Sequence, residues 1–234
     1  MNSDNEARIK KIEEEIAYVF SDKSLPLRAL THSSYANERK INVTECNERL
    51  EFLGDAVLEL VSSTLIYKKY PDMPEGRMSR LRAALVCESA LSDCASGIGL
   101  KDLILLGKGE RATGGAMKPS VISDAFEALI GAIYLDGGYE AAASFVERFV
   151  LDDTDSFVNE NDPKSALQEY LQTDGAVDIE YTVTDVRGPD HDRVHEVEVR
   201  VNGKVCGTGT GRKKKDAEKA AAAAALENIK NDRV

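Results

Sequence analysis

Glu48, Glu51 and Asp55 stand at i, i+3 and i+7 in NERLEFLGDAVL, residues 47–58, and on a helix of 3.6 residues per turn they share one stripe. Leu50, Leu53, Val57 and Leu58 around them call for burial. Carboxylates drawn together among apolar neighbours lose hydration and repel one another, so a cation must compensate them. Arg49, next to Glu48, points elsewhere on such a helix, and a divalent metal is the better match. A second pair, Asp124 and Glu127, stands at i and i+3 in SVISDAFEALIGAIYL, residues 120–135, a segment otherwise almost wholly apolar. Two such helices face to face can surround one ion. Mg²⁺ takes hard oxygen ligands and keeps several waters. Held by carboxylates, it can activate water and stabilise a departing oxygen. This chemistry suits hydrolysis of a phosphodiester.

Plainer readings compete. Glu45 and Arg49 can pair at i, i+4 and leave the first stripe a solvated face, and Asp124 can serve the dipole at its helix N-terminus. Glu127 fits less well, because it sits between Phe126 and Ala128-Leu129-Ile130 with no basic residue in its helix. Other chemistries have little support. His32, in LTHSSYANE, has no acid at a triad-like position and reads as a structural hydrogen-bonding residue. GKGERATGG does not carry the lysine and hydroxyl of a phosphate-binding P-loop in their places.

The elements that must position these acids read as helices. Ile9, Ile12, Ile16 and Val19 have helical spacing, and residues 25–35 and 47–67 follow, with Pro71 and Pro74 marking a break. Residues 78–86, 88–96, 120–135 and 139–151 continue the series, so 5–151 forms an all-α domain. Residues 152–161 are acidic and poor in apolar periodicity, as a flexible linker is. Beyond them the period changes. Residues 163–172 suit a helix with proline near its start. Val177, Ile179, Tyr181 and Val183 alternate with polar residues, as do His195, Val197, Val199 and Val201, and RGPDHD turns between them. Asn202-Gly203 marks a hairpin, residues 205–210 a third strand and 213–229 a helix. Residues 162–231 thus form an α-β-β-β-α domain.

The 234 residues, 42% hydrophobic and 30% charged, are enough for two globular domains. MNSDNEARIKKIEEE has no signal-peptide core, and no apolar run is long enough for a membrane span. Cys46, Cys87, Cys94 and Cys206 show no metal-type spacing. The expectation is a cytoplasmic protein with reduced cysteines and no membrane partner. A net charge of −11 argues against a polyanionic partner, but it is unevenly spread. Residues 1–161 carry 27 acids and 18 bases, whereas 162–230 carry 13 and 11, with Arg212, Lys213, Lys214 and Lys215 in one run. Bound metal would also reverse the local field of the acids.

NERLEFLGDAVL resembles the signature of bacterial ribonuclease III, the double-stranded RNA endonuclease. LTHSSYANE before it and PSVISDAFEALIGAIYLD after it resemble that family's flanking blocks, in the same order. The resemblance implies an all-α endonuclease domain followed by an α+β double-stranded RNA-binding domain, working as a homodimer with Mg²⁺, for which Mn²⁺ can substitute. By the same resemblance, Glu51, Asp55, Asp124 and Glu127 match the metal-binding carboxylates, with Asp55 and Glu127 the most critical for catalysis. Glu48 and Glu75 match supporting acids. Phe52 matches an aromatic that enters a cavity of the second subunit, although the sequence alone equally allows a core phenylalanine. The implied reaction cuts both strands of duplex RNA with a stagger, leaving 5′-phosphate and 3′-hydroxyl ends with short 3′ overhangs. The implied substrates are ribosomal precursor RNA and structured messengers.

The second half resembles a double-stranded RNA-binding domain, which straddles about 16 base pairs. Ser165, Gln168, Glu169 and Gln172 lie on or near one polar helix face, and His191 in GPDH matches a loop that enters a minor groove. Lys213, Lys214 and Lys215 open the last helix. Cations are unfavourable there, so their place asks for an anionic partner rather than a merely solvated end. Two departures stand out: His195 occupies a usually apolar strand position, and Ala116-Met117 replaces more polar or basic residues. Two rivals remain, a non-catalytic double-stranded RNA-binding regulator that keeps the dimer and a helical metal enzyme acting on a small diphosphate.

Overall fold

A computed structural model describes residues 3–152, 154, 163–172, 177–189 and 193–232. The chain forms two compact units, one ending at Asp152 and the other beginning at Asp153. The first contains helices α1 (Ser3–Ile16), α2 (Ser24–Ala29), α3 (Ser33–Arg39), α4 (Glu48–Lys69), α5 (Glu75–Leu85), α6 (Glu88–Gly97), α7 (Lys108–Ala112) and α8 (Pro119–Phe149). Its centre is α8. Ala125, Phe126, Ala128, Leu129, Ile130, Ala132 and Ile133 are wholly buried there, so this helix is apolar almost all round, with α2, α4 and α6 packed on it.

One expected boundary differs and another holds. Residues 25–35 form two helices rather than one. His32 is extended (φ −70°, ψ 151°) and its Nδ1 caps α3 by accepting the Ser34 N–H, while Thr31 bridges Leu105. The expected division between 120–135 and 139–151 is present: α8 is two helices run end to end across a kink at Gly138, where φ is 77° and ψ −170°. Beside that kink the Asp136 carboxylate accepts from the Tyr18 hydroxyl (2.8 Å) and the Ser21 and Asp22 amides (3.0 and 2.8 Å). This ties the α1–α2 connection to α8.

The second unit contains α9 (Pro163–Gln172), strands β1 (Ile179–Arg187), β2 (Val194–Val201) and β3 (Lys204–Gly211), and α10 (Lys214–Asp232). The sheet is antiparallel in the order β1-β2-β3. Asn202 and Gly203 both have positive φ (49° and 80°), the requirement of a tight hairpin that follows the strand twist. Val177, read as part of the first strand, precedes β1. Val197 and Val199 of the central strand are buried against Ala166 and Leu167 of α9 and Ala217, Ala221, Ala222 and Ala225 of α10. Glycines alternate along β3 for a steric reason. A Cβ at Gly209 would lie 2.1 Å from the Ala221 nitrogen, and one at Gly207 would lie 2.5 Å from the Ala221 oxygen. The alanine tract and these glycines let a helix backbone rest directly on a strand. His195 is half-buried on the Val197 side, paired in register with Val186 and Gly211 near one end of the sheet.

Candidate metal centre and nucleic-acid interface

The acids meet because α4 and α8 cross at a glycine pair. A Cβ on Gly54 would lie 1.8 Å from the Glu127 carbonyl oxygen, and one on Gly131 would lie 2.3 Å from the Leu50 carbonyl oxygen. No side chain fits at either place, so the two backbones touch. Glu51 and Asp55 each follow a contact residue on α4, and Glu127 is itself a contact residue on α8, with Asp124 one turn before it. The crossing therefore gathers carboxylates from segments far apart in the chain. Apolar periodicity does not mark either glycine. Their signal was present: an isolated glycine inside an apolar helix is unfavourable unless a close approach requires it.

These groups act on one another through their fields. Burial, then Asp55, Asp124 and Glu51, pushes the Glu127 carboxyl up to about 7. Burial, then Asp124, Glu48 and Asp55, raises Glu51. Asp124 is raised by burial and then by Glu88, against the opposing influence of His32 and a hydrogen bond from Ser123. Glu88, the first residue of α6, is near enough for its charge to act on Asp124, which periodicity does not reveal. Glu51, Asp124 and Glu127 are half-buried, while Glu48 and Asp55 are exposed at the edge. None of the five is ion-paired to lysine or arginine among the described residues. Glu45, the expected partner of Arg49, instead pairs with Arg28 at 2.8 Å. Among the described residues no three of His, Cys, Asp and Glu converge as a ready-made metal cage. The acids are thus coupled through space around a position that lacks compensating charge. Their hard oxygen donors and surplus of negative charge fit Mg²⁺.

Glu75 is not part of this cluster within one chain. It opens α5, accepts from Ser79 Oγ at 2.7 Å, and lines a cavity of about 250 Å³ with Ser63, Ile66, Tyr67, Met78, Ser79 and Arg82. Ser63 lies roughly two turns, about 12 Å, beyond Asp55 along α4. Phe52 is 81% exposed, which rules out a core phenylalanine in the single chain. Leu60 (58%) and Tyr67 (71%) are also exposed on α4. Met117, 68% exposed, ends the turn Gly115–Met117, and the neighbouring Lys118 pairs with Glu110 at 2.7 Å.

In the second unit Ser165 is half-buried and Gln168 exposed, opposite the buried Leu167 and Leu171. The side chains of Glu169 and Gln172, and all of His191, lie outside the described residues. Lys213, Lys214 and Lys215 are exposed where α10 begins, with Lys213 just before the helix and its carbonyl accepting the Asp216 and Ala217 amides. Three cations at the positive end of a helix repel one another and the helix dipole, and an anion there would relieve both.

The family model for ribonuclease-III-like domains matches residues 22–154, and that for the double-stranded RNA-binding motif matches 163–229. The ribonuclease 3 of Bacillus licheniformis is 47% identical over 224 residues, covering 95% of this chain and 90% of its own. That of Geobacillus kaustophilus is 44% identical over 226 residues, covering 96% and 92%. Among solved structures, the nuclease domain of ribonuclease III from Campylobacter jejuni superposes with a TM-score of 0.57 at 43% identity, covering 62% of this chain and 97% of that one. No helix among the described residues is long and apolar enough to cross a membrane.

Proposed function

The chain belongs to the ribonuclease III family and is a double-stranded RNA endonuclease, and from that premise we propose that Glu51, Asp55, Asp124 and Glu127 hold Mg²⁺, or Mn²⁺ in its place, for the cleavage of both strands. The observation that supports this is the glycine crossing of α4 and α8, beside which Asp55, Asp124 and Glu51 act on the Glu127 carboxyl with no lysine or arginine ion-paired to them among the described residues. When bound, the metal supplies activation of the attacking water and neutralises charge on the departing 3′ oxygen. Glu51 and Asp124, half-buried, would hold the ion from α4 and α8. Asp55 at the open edge and Glu127 beneath it face the scissile phosphate and act as the catalytic pair. Glu48 supports Glu51 from one turn earlier. The products carry 5′-phosphate and 3′-hydroxyl ends with short 3′ overhangs, and the natural substrates are ribosomal precursors and structured messengers in the cytoplasm.

A two-fold dimer completes the reading. The Campylobacter nuclease domain is described as having a region involved in dimer formation. Here Phe52 projects beside Glu51, and the cavity lined by Ile66, Tyr67 and Met78 has Glu75 on its wall. Insertion of Phe52 into that cavity of a second copy sets Glu75 of the partner subunit beside Glu51. Glu75 then supports the site across the interface, and two-fold symmetry presents one site to each strand. Residues 5–151 act as the nuclease domain, 152–161 as the linker, and 162–231 as the domain that grips the duplex. Ser165, Gln168, Glu169, Gln172 and His191 meet the minor grooves, and Lys213, Lys214 and Lys215 meet phosphates.

The test is incubation of the full chain with long duplex RNA in Mg²⁺ and in chelator, beside Glu127→Ala. Wild-type protein is expected to cut only with metal, and the variant to lose roughly a thousandfold or more in rate while still binding the duplex. Cleavage that persists in the variant contradicts the assignment of Glu127. Binding without any cutting by wild type would favour the regulator.

A further inference from the structure

Within the RNA-binding unit, the Lys164 ammonium on α9 donates to Glu218 Oε2 on α10 and lies 4.3 Å from the centroid of the Tyr181 ring on β1. The other oxygen, Glu218 Oε1, faces Lys214 Nζ at 3.8 Å. One carboxylate therefore engages both elements that carry the proposed RNA contacts. Gln168 lies one turn beyond Lys164 on α9 and lines the same cleft, and Lys214 is the first residue of α10. The Glu218 side chain is only 16% exposed, against 61% for Lys214, so it is packed into place.

For a polyanionic ligand, an acid in that position has the wrong sign. It offsets part of the Lys214 charge and repels approaching phosphates. The helix dipole would favour an acid near the start of α10, but does not explain a link to a second helix. A geometric demand does explain it. Duplex RNA presents minor-groove hydroxyls and backbone phosphates at a set separation, so α9 and the start of α10 must be presented at a matching one.

We propose that Glu218 is a positioning residue for duplex RNA: through Lys164 and Lys214 it holds the groove-reading face of α9 in register with the phosphate-binding lysines. The inference rests on the reading of α9 and the α10 lysines as the RNA face. Its test uses the full chain in chelator, titrated with a duplex RNA of about 20 base pairs, longer than the span of one such domain, and with duplex DNA of the same sequence. Glu218→Gln should weaken RNA binding about fivefold and leave DNA binding unchanged or tighter, because phosphate contacts survive and one acid is gone. The preference for RNA over DNA then shrinks. Lys164→Met should shrink it likewise, by removing the same link from the other side. RNA binding that is unchanged or tighter in Glu218→Gln overturns the proposal. Equal losses on RNA and DNA also overturn it, because they mark a residue needed only for folding. A wild-type protein with no preference for RNA over DNA would instead remove the underlying reading of the face.

Discussion

In the nuclease unit α4 and α8 touch at Gly54 and Gly131, and in the RNA-binding unit α10 rests on β3 at Gly207, Gly209 and Gly211. Both contacts bring backbones closer than any side chain allows, and both place charges of one sign near the junction. The outcomes differ. At the helix crossing, Glu51, Asp124 and Glu127 are half-buried, so their repulsion acts through a medium that screens poorly and raises all three above the ordinary carboxylate range, Glu127 to about 7. At the sheet, Lys213, Lys214 and Lys215 stand in solvent, where water and salt screen them. A buried cluster can select a small, strongly charged ion at one point. An exposed cluster can follow a long polyanion without demanding one sequence.

The glycines test this parallel most severely. Gly54→Ala should destabilise the nuclease unit by about 3 kcal/mol and remove cleavage, because its Cβ would meet α8 backbone, the Glu127 carbonyl and the Gly131 nitrogen, which cannot rotate aside. Gly209→Ala should do comparable harm to the RNA-binding unit alone. Thermal unfolding of the two variants, with duplex binding and cleavage measured in parallel, separates them. Loss of the same transition in both would break the comparison.

Protonation sharpens the contrast at the next level. Because the folded Glu127 carboxyl sits near 7, above its ordinary 4.5, the folded state binds more protons than the unfolded one between those values. Metal-free protein should therefore be fully stable with respect to this group below pH 4.5 and lose on the order of 1 to 2 kcal/mol as pH rises past 7, allowing for partial solvent screening. Glu127→Gln should flatten that fall, and Mg²⁺ should oppose it. Chemical denaturation in chelator across this range provides the check, and an equal slope in both proteins would argue against a strained carboxylate cluster. A smaller effect is expected in the second unit. Lys214→Ala with Lys215→Ala should reduce the salt dependence of duplex binding by roughly one unit per lost phosphate contact. An unchanged slope would mean that these lysines are merely solvated.

Much of this architecture is legible in the residues. The change from helical spacing before residue 151 to alternation after 177 separates a helical unit from one with a sheet, and Asn202-Gly203 announces its hairpin. The acids announce themselves because Glu127 has no cation beside it within residues 120–135. What periodicity misses is whatever depends on a distant segment. Gly54 and Gly131 look like weak points in their helices until the crossing is seen. The charge of Glu88 reaches Asp124 only because α6 packs on α8. The break at Thr31 and His32 follows from a bridge to Leu105, some 70 residues on, that local propensity cannot report. Phe52 shows another limit: an aromatic on a half-apolar helix reads the same whether it faces a core or solvent.

The central claim is that two helices each supply half of one metal site, and metal binding itself tests it most directly. Mn²⁺ titrated into the full chain without RNA can be followed through its paramagnetic signal for wild type, Glu51→Gln on α4 and Glu127→Gln on α8. The account predicts that either substitution weakens the same site by at least tenfold. Undiminished Mn²⁺ binding after the α8 change, with loss only after the α4 change, would mean that α4 holds the ion alone and would contradict it.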